Sequence, residues 1–253
     1  ALDRLDADES VDLIVVVSKP PAAEVAERVT AHAGQLETQI VLGYLRPGRP
    51  DITATAQRVV EAVAMPWTAP RRWAPDTPPS PRVGDVRGLY AGGTLCDEAM
   101  LIAAAMIGPI ASNIPLPEGR ALDDSLASLG HTFIDFGDDR LTQGRPHPMI
   151  DPSLRLERLA IELADSSCAV VLLDVVLGHA AHPDPATDLA ALIEAAGTPV
   201  IVTLVGTRDD PQGLEAQAAV LADAGAIVHA SNAAAVREAL SLVDAAHSAW
   251  STS

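Results

Sequence analysis

The residues best equipped for chemistry sit in short polar turns that follow apolar runs. Ala91-Gly92-Gly93-Thr94 is the most informative of these turns. Two glycines let the backbone approach a ligand closely, and a helix opening at Thr94 offers unpaired N–H groups at the positive end of its dipole, a ready anion site. Thr94 and Asp97 can instead close a capping box, and the Asp97 and Glu98 carboxylates oppose an anion. A second segment, residues 142–152 (TQGRPHPMIDP), places Arg145, His147 and Asp151 within seven residues. Arginine suits bidentate binding of phosphate or carboxylate, and histidine can move a proton near neutrality. The alternative is a proline-stiffened loop whose Asp151 caps the next helix, with Pro152 at the first helical position. Asp135, Asp138 and Asp139 are weak candidates for a hard cation such as Mg²⁺, and serve equally well as turn and cap residues. Asn113, Asp174 and Gly206-Thr207 also fall at the ends of apolar runs.

The elements that must position these groups alternate. Residues 11–17 and 40–45 read as strands and residues 22–33 and 52–64 as helices, a partial βαβα unit. Six prolines between Pro66 and Pro81 exclude a regular element and suggest an inter-domain linker over 66–83. From 84 the alternation resumes. Strands are predicted at 86–90, 110–112, 131–136, 169–177, 199–205 and 226–230, with helices at 94–107, 152–165, 185–196, 213–224 and 232–247. The reading is an α/β chain: a partial unit over 1–65, then a doubly wound parallel sheet of the flavodoxin-like kind over 84–253. Ligands of such sheets bind outside the carboxyl ends of the strands, which is where the polar turns fall.

Composition narrows the functions. Hydrophobic residues make up 48% and charged residues 20% of the 253, which permits a large core and excludes a disordered chain. Basic residues number 17 against 34 acidic, a net charge of −17, so a nucleic-acid backbone would be repelled. The imbalance is uneven: residues 1–83 carry a net −2 and residues 84–253 a net −15. No apolar run approaches the roughly 20 residues of a membrane span. Two cysteines make neither a disulfide framework nor a zinc site, and they fit a reducing cytoplasm. No signal peptide is visible, and the start at Ala1 without an initiator Met suggests a piece of a longer protein.

The stretch Gly92-Gly93-Thr94-Leu95-Cys96-Asp97-Glu98-Ala99 resembles the Ser-Gly-Thr-Leu-Thr-Tyr-Glu-Ala stretch of succinyl-CoA synthetase α subunits. The wording is closer still to the FdrA family of that superfamily. Its hallmarks stand here as Ser18-Lys19-Pro20-Pro21, Arg87-Gly88-Leu89-Tyr90-Ala91-Gly92-Gly93-Thr94-Leu95, Ile134-Asp135-Phe136-Gly137-Asp138-Asp139, Gly144-Arg145-Pro146-His147-Pro148-Met149-Ile150-Asp151, Asp174-Val175-Val176-Leu177-Gly178, and Gly206-Thr207 with Asp210-Pro211-Gln212. The resemblance implies a succinyl-CoA-synthetase-like fold and an anion site at Gly92, Gly93 and Thr94, with Asn113, Gly206 and Thr207 around it. It implies roles for Arg145 on the anion, His147 as proton carrier and Asp174 as an orienting group.

Two departures matter. Succinyl-CoA synthetases carry a phosphohistidine after the strand matching 199–205, whereas residues 206–213 here contain no histidine. FdrA proteins also begin with a CoA-binding-type domain, and this chain starts after it. The resemblance implies a phosphate-binding subunit of a homo- or hetero-oligomeric enzyme, with carbamoyl transfer from carbamoyl phosphate to oxamate the first reading. An acyl-CoA ligase without the phosphohistidine is the second, and only it needs CoA. A non-catalytic assembly subunit is the third. In each of the two enzyme readings the substrate is a small phosphate-bearing anion. The partial unit over 1–65 is expected to pack against a missing piece or another chain.

Overall fold

The computed structural model describes residues 1–243, and the end of the helix predicted over 232–247 lies outside them. Two compact units divide at residue 69. The first contains α1 (Leu2–Asp6), β1 (Leu13–Ser18), α2 (Ala23–Ala33), β2 (Gln39–Tyr44) and α3 (Ile52–Ala62). β1 and β2 pair in parallel from Leu13↔Gln39 to Ser18↔Tyr44. The crossover is α2, as parallel pairing demands. Asp51 caps α3 by accepting the Ala54 N–H at 2.8 Å. Two strands make a small core of Ile14, Ala26, Ala33, Val41 and Leu45, and Val15 and Val17 remain 43% and 47% exposed.

The second unit runs through β3 (Arg72–Trp73), β4 (Asp85–Tyr90), α4 (Gly93–Ile107), β5 (Ala111–Ser112), β6 (Arg120–Ala121), β7 (Thr132–Asp135), α5 (Asp139–Thr142), α6 (Ser153–Ala164), β8 (Cys168–Val176), α7 (Pro185–Glu194), β9 (Val200–Val205), α8 (Leu214–Asp223), β10 (Ile227–His229) and α9 (Asn232–Ser241). Its eight-stranded sheet has the order β3-β10-β9-β8-β4-β7-β5-β6. All pairings are parallel except β3 with β10.

The sheet is wound on both faces, and strand alternation shows it. Leu89, Val171, Leu173 and Val202 enter one core with Leu159 of α6, Leu189 of α7 and Leu221 of α8. Their neighbours Tyr90, Val170, Leu172 and Ile201 enter the other with Met100 of α4 and Val236 of α9. A strand buried on both sides must be apolar at every position, which is why β8 reads as an almost unbroken aliphatic run. Cys168 lies in that core, where burial pushes its thiol up to about 12.

The proline-rich stretch departs from expectation. Its prolines predict a linker without regular elements, yet β3 lies inside it, antiparallel to β10 through Val228↔Trp73 and His229↔Arg72. The prolines flank this two-residue strand and do not interrupt it, and it sits at the sheet edge, where prolines are tolerated. Side chains hold it: Arg72 makes a bidentate pair with Glu238, and Trp73 Nε1 donates to Glu215. Asp151-Pro152 also differs. Pro152 is the N-cap residue of α6, not its first helical residue, and Asp151 instead accepts from the Ser153 N–H at 3.1 Å. At Asp184-Pro185 the proline does occupy the first turn of α7.

Two buried histidines give this unit a pH dependence. Burial holds His229 and His131 below the ordinary histidine value of 6.5, with Glu238 and Asp85 respectively pulling back. The Arg72 hydrogen bond holds Glu238 below its ordinary 4.5. A histidine with a depressed folded pKa contributes stability above its unfolded pKa and loses it on acidification, and a depressed carboxylate has the same sign. Urea unfolding should therefore show stability falling as pH drops below about 6.5 and again below about 4.5. His229→Gln should flatten the upper part of that decline, and an unchanged slope would contradict the assignment.

Candidate functional site

β4 is the strand at which the winding reverses, with β7 on one side and β8 on the other. The crevice outside the carboxyl end of such a strand is the expected ligand seat of an open α/β sheet. The Ala91–Thr94 turn occupies it. Gly92 is the N-cap residue of α4, with φ −103° and ψ 107°, and no side chain caps the helix. The capping box from Thr94 to Asp97 is therefore not formed: Thr94 is already inside the helix, two positions past the cap. The Cys96 N–H donates to Gly92 O at 3.0 Å, the first helical bond. Among the described residues, the N–H groups of Gly93, Thr94 and Leu95 have no hydrogen-bond partner. That leaves three donors at the positive end of a 15-residue helix.

The turn is fixed from beneath by Asp174. Its Oδ1 accepts from the Ala91 N–H at 2.7 Å and its Oδ2 from the Gly92 N–H at 2.8 Å. Arg155 Nη1 closes the pair at 2.8 Å and also donates to Asp174 O at 2.6 Å. Asp174 is 0% exposed and Arg155 4%. Burial pushes the guanidinium below its ordinary value while Asp174 pulls it back up. Asp174 thus sits against backbone amides and is no catalytic group facing a substrate. It takes the amides of Ala91 and Gly92, so the donors left open at the helix start are those of Gly93, Thr94 and Leu95.

The loop between α5 and α6 approaches this turn. A methyl group built on Gly137 would lie 2.5 Å from Ala91 O and 2.8 Å from His147 Nε2, and one on Gly92 would lie 3.7 Å from the Met149 methyl carbon. His147 Nδ1 accepts the Met149 N–H at 3.3 Å, which leaves Nε2 as the proton-bearing nitrogen against Gly137. Arg145 is exposed, and its guanidinium has no hydrogen-bond partner among the described residues. Asp151 is held below the usual carboxylate range by the Ser153 hydroxyl and amide first, with Arg145 and His182 adding to this.

The other candidates take structural places. Asn113 continues the sheet: Nδ2 donates to Asp135 O and Oδ1 accepts the Asp135 N–H, both at 2.9 Å. Its amide is consumed as a backbone mimic and does not serve an anion. Gly206 packs against Leu177, and the Thr207 N–H is taken by Asp210. Asp135 Oδ1 accepts the Gly137 N–H at 2.9 Å, and Asp138 caps α5 through the Arg140 N–H. No cluster of three or more His, Cys, Asp or Glu suited to a metal forms among the described residues, and Asp139 lies in the first turn of α5.

Three residues were missed as site-builders. Gln212 bonds Gly178 N–H and O and also His182 O, and the His182 N–H in turn donates to Met149 O at 2.7 Å. This chain of bonds ties the loops after β9, β8 and α5 into one rim. Asn232 donates to Leu95 O and to Glu98 Oε2, and accepts from Tyr90 and Thr203, so it anchors the first turn of α4. Burial holds the Tyr90 phenol well above its ordinary value. Arg155 was missed because its position in the period of α6 looks like that of any helix-surface arginine.

A doubly wound sheet with a helix start of open amides at its switch point is an arrangement in which α/β proteins seat ligands. Residues 89–242 match the CoA-ligase family, more than half of the chain, and the chain belongs to that family. It is also 35% identical over 261 residues to the uncharacterized protein YahF of Escherichia coli (strain K12), an alignment covering 92% of this chain and 50% of that protein. The chain thus spans about half the length of this relative. No helix among the described residues is long and apolar enough to cross a membrane.

Proposed function

We propose that this chain is the phosphate-handling part of an acyl-CoA-synthetase-like enzyme, and that it binds the phosphate of an acyl phosphate at the start of α4. One observation carries the reading: the N–H groups of Gly93, Thr94 and Leu95 stand unpartnered at a helix N-terminus whose preceding turn is locked by Asp174. A nucleophile attacks the acyl carbon, the carbon–oxygen bond to phosphate breaks, and the phosphate leaves with added negative charge. Donors fixed in advance stabilise that charge without reorganising. His147 carries its proton on Nε2, against Gly137, so it is placed to donate a hydrogen bond to the departing phosphate and not, as a proton carrier would, to take a proton; the nucleophile enters already deprotonated.

Family membership supports a thiol nucleophile over the amide nitrogen of oxamate. Carbamoyl transfer, the FdrA-level reading, uses the same anion site but has no finding of its own behind it. Phosphoryl relay through histidine is left out, since the 206–213 loop has none.

Gly93→Pro is the sharp test. Gly93 is the first helical residue, where proline fits, and Gly92 is already extended, so the helix stays while one N–H donor vanishes. Calorimetric titration with acetyl phosphate should show affinity falling about tenfold or more, the value of one hydrogen bond to a charged group. Equal binding by the variant would place the anion elsewhere.

A further inference from the structure

A second polar cavity lies wholly within the first unit. It holds about 930 Å³ and is formed by α2, α3 and the carboxyl end of β2. Arg46, Arg49 and Arg58 line it together with Tyr44, Thr30 and Thr55. Among the described residues no carboxylate pairs with any of these three arginines. Arg58 donates only a long bond to Leu42 O at 3.4 Å. The Tyr44 hydroxyl is buried and has no hydrogen-bond partner among the described residues. One acidic residue, Glu27, also lines the cavity.

The arginines are brought together by design of the local chain. Arg46-Pro47-Gly48-Arg49 is a β-turn closed by the Arg49 N–H to Arg46 O at 3.1 Å. Pro47 pre-sets the first corner, and Gly48 takes the positive φ of 69° that the second corner demands. The turn therefore fixes the backbones of two arginines close together at the end of a parallel strand, where α/β folds bind ligands. The buried arginines Arg87 and Arg155 are neutralised by carboxylates; here three more exposed arginines share a cavity, and none is paired to a carboxylate among the described residues. A buried hydroxyl without a partner is costly unless a ligand supplies one.

We propose that this cavity is a binding site for a compact polyanion, a small molecule with two or more negative charges, held by Arg46, Arg49 and Arg58 and accepting a hydrogen bond from Tyr44. The site is separate from the start of α4 and does not depend on the reading given there.

The test is calorimetric titration of the full chain with pyrophosphate and, separately, with citrate. At least one should bind, and the pattern identifies the charge carrier: pyrophosphate alone means a phosphate ligand, citrate alone a polycarboxylate, both a site that reads charge only. Arg46→Gln with Arg49→Gln should weaken that binding about tenfold or more, since each removes charge-assisted bonds. Both are surface side chains, so the fold should be unaffected. Tyr44→Phe should weaken binding without lowering the melting temperature, whereas a purely structural hydroxyl would change stability alone. Glu27→Gln should tighten binding, because it removes the opposing charge. Gly93→Pro should leave it unchanged, which separates this cavity from α4. Failure of both anions to bind, or an Arg46→Gln/Arg49→Gln protein that binds as the parent does, overturns the proposal.

Discussion

Asp174→Ala is expected to lower the melting temperature by about 6–20 °C, from a loss of about 3–5 kcal/mol for breaking a buried ion pair and about 2–4 °C per kcal/mol in a domain of this size. The reason is what remains behind. Arg155 is 4% exposed, its Nη1 would lose the carboxylate at 2.8 Å, and its Nε already has no partner. The amides of Ala91 and Gly92 would lose their acceptor at the same time. Asp174→Leu combined with Arg155→Met should recover part of the loss, because it removes the stranded charge but leaves the two amides open. Thermal unfolding of the three proteins separates these contributions. A single variant that melts within about 2 °C of the parent would mean that the pair does not hold the turn.

Asp174 also shows where sequence reading reaches its limit. Its place at the end of β8 was legible, because a charged residue ends the most apolar stretch of the run, and the turn it serves was legible from the glycines after β4. Its partners were not. Arg155 lies 19 residues away on α6, and the bonds to Ala91 and Gly92 span more than 80 residues. Such contacts depend on strand order, which local periodicity does not encode. The same holds for Asn113 and Asn232: an asparagine near a strand end looks like a ligand-binding group until the neighbouring backbone is in place. Elements with strong apolar period were legible almost to their ends. β3, β6 and α5 were not, because two- to four-residue elements carry no period and are held by side-chain pairs such as Arg72 with Glu238. In the first unit, the Arg-Pro-Gly-Arg turn is readable as a turn, but its role emerges only when α2 and α3 close a cavity around it.

Gly137→Ala tests the junction at which the two halves of the candidate site meet. The added methyl would sit 2.5 Å from Ala91 O, 2.8 Å from His147 Nε2 and 3.1 Å from Asp135 Oδ1. The strain is one of space: Gly137 does not need a left-handed backbone. None of the three neighbours gives way cheaply. Ala91 O belongs to the backbone at the end of the central strand, and Asp135 is held by the Gly137 N–H. Phe136 N–H to Tyr90 O at 2.7 Å fastens the two strand ends together just below. Overpacking at such a site costs about 1–3 kcal/mol, so the melting temperature should fall by about 2–12 °C. The larger consequence is for the site itself. The methyl pushes the 142–151 loop away from the turn, so catalysis of acyl transfer from acetyl phosphate should fall at least as far as in His147→Ala, by roughly a hundredfold if the hydrogen bond to the departing phosphate is lost. Combining Gly137→Ala with His147→Ala distinguishes the two contacts. Removing the imidazole relieves the 2.8 Å approach but not the one at Ala91 O, so stability should return only in part, while the activity losses should not add, because both act through the same imidazole N–H. Full additivity of the activity losses would show that His147 and Gly137 work independently and that the histidine is not the group that donates to the departing phosphate.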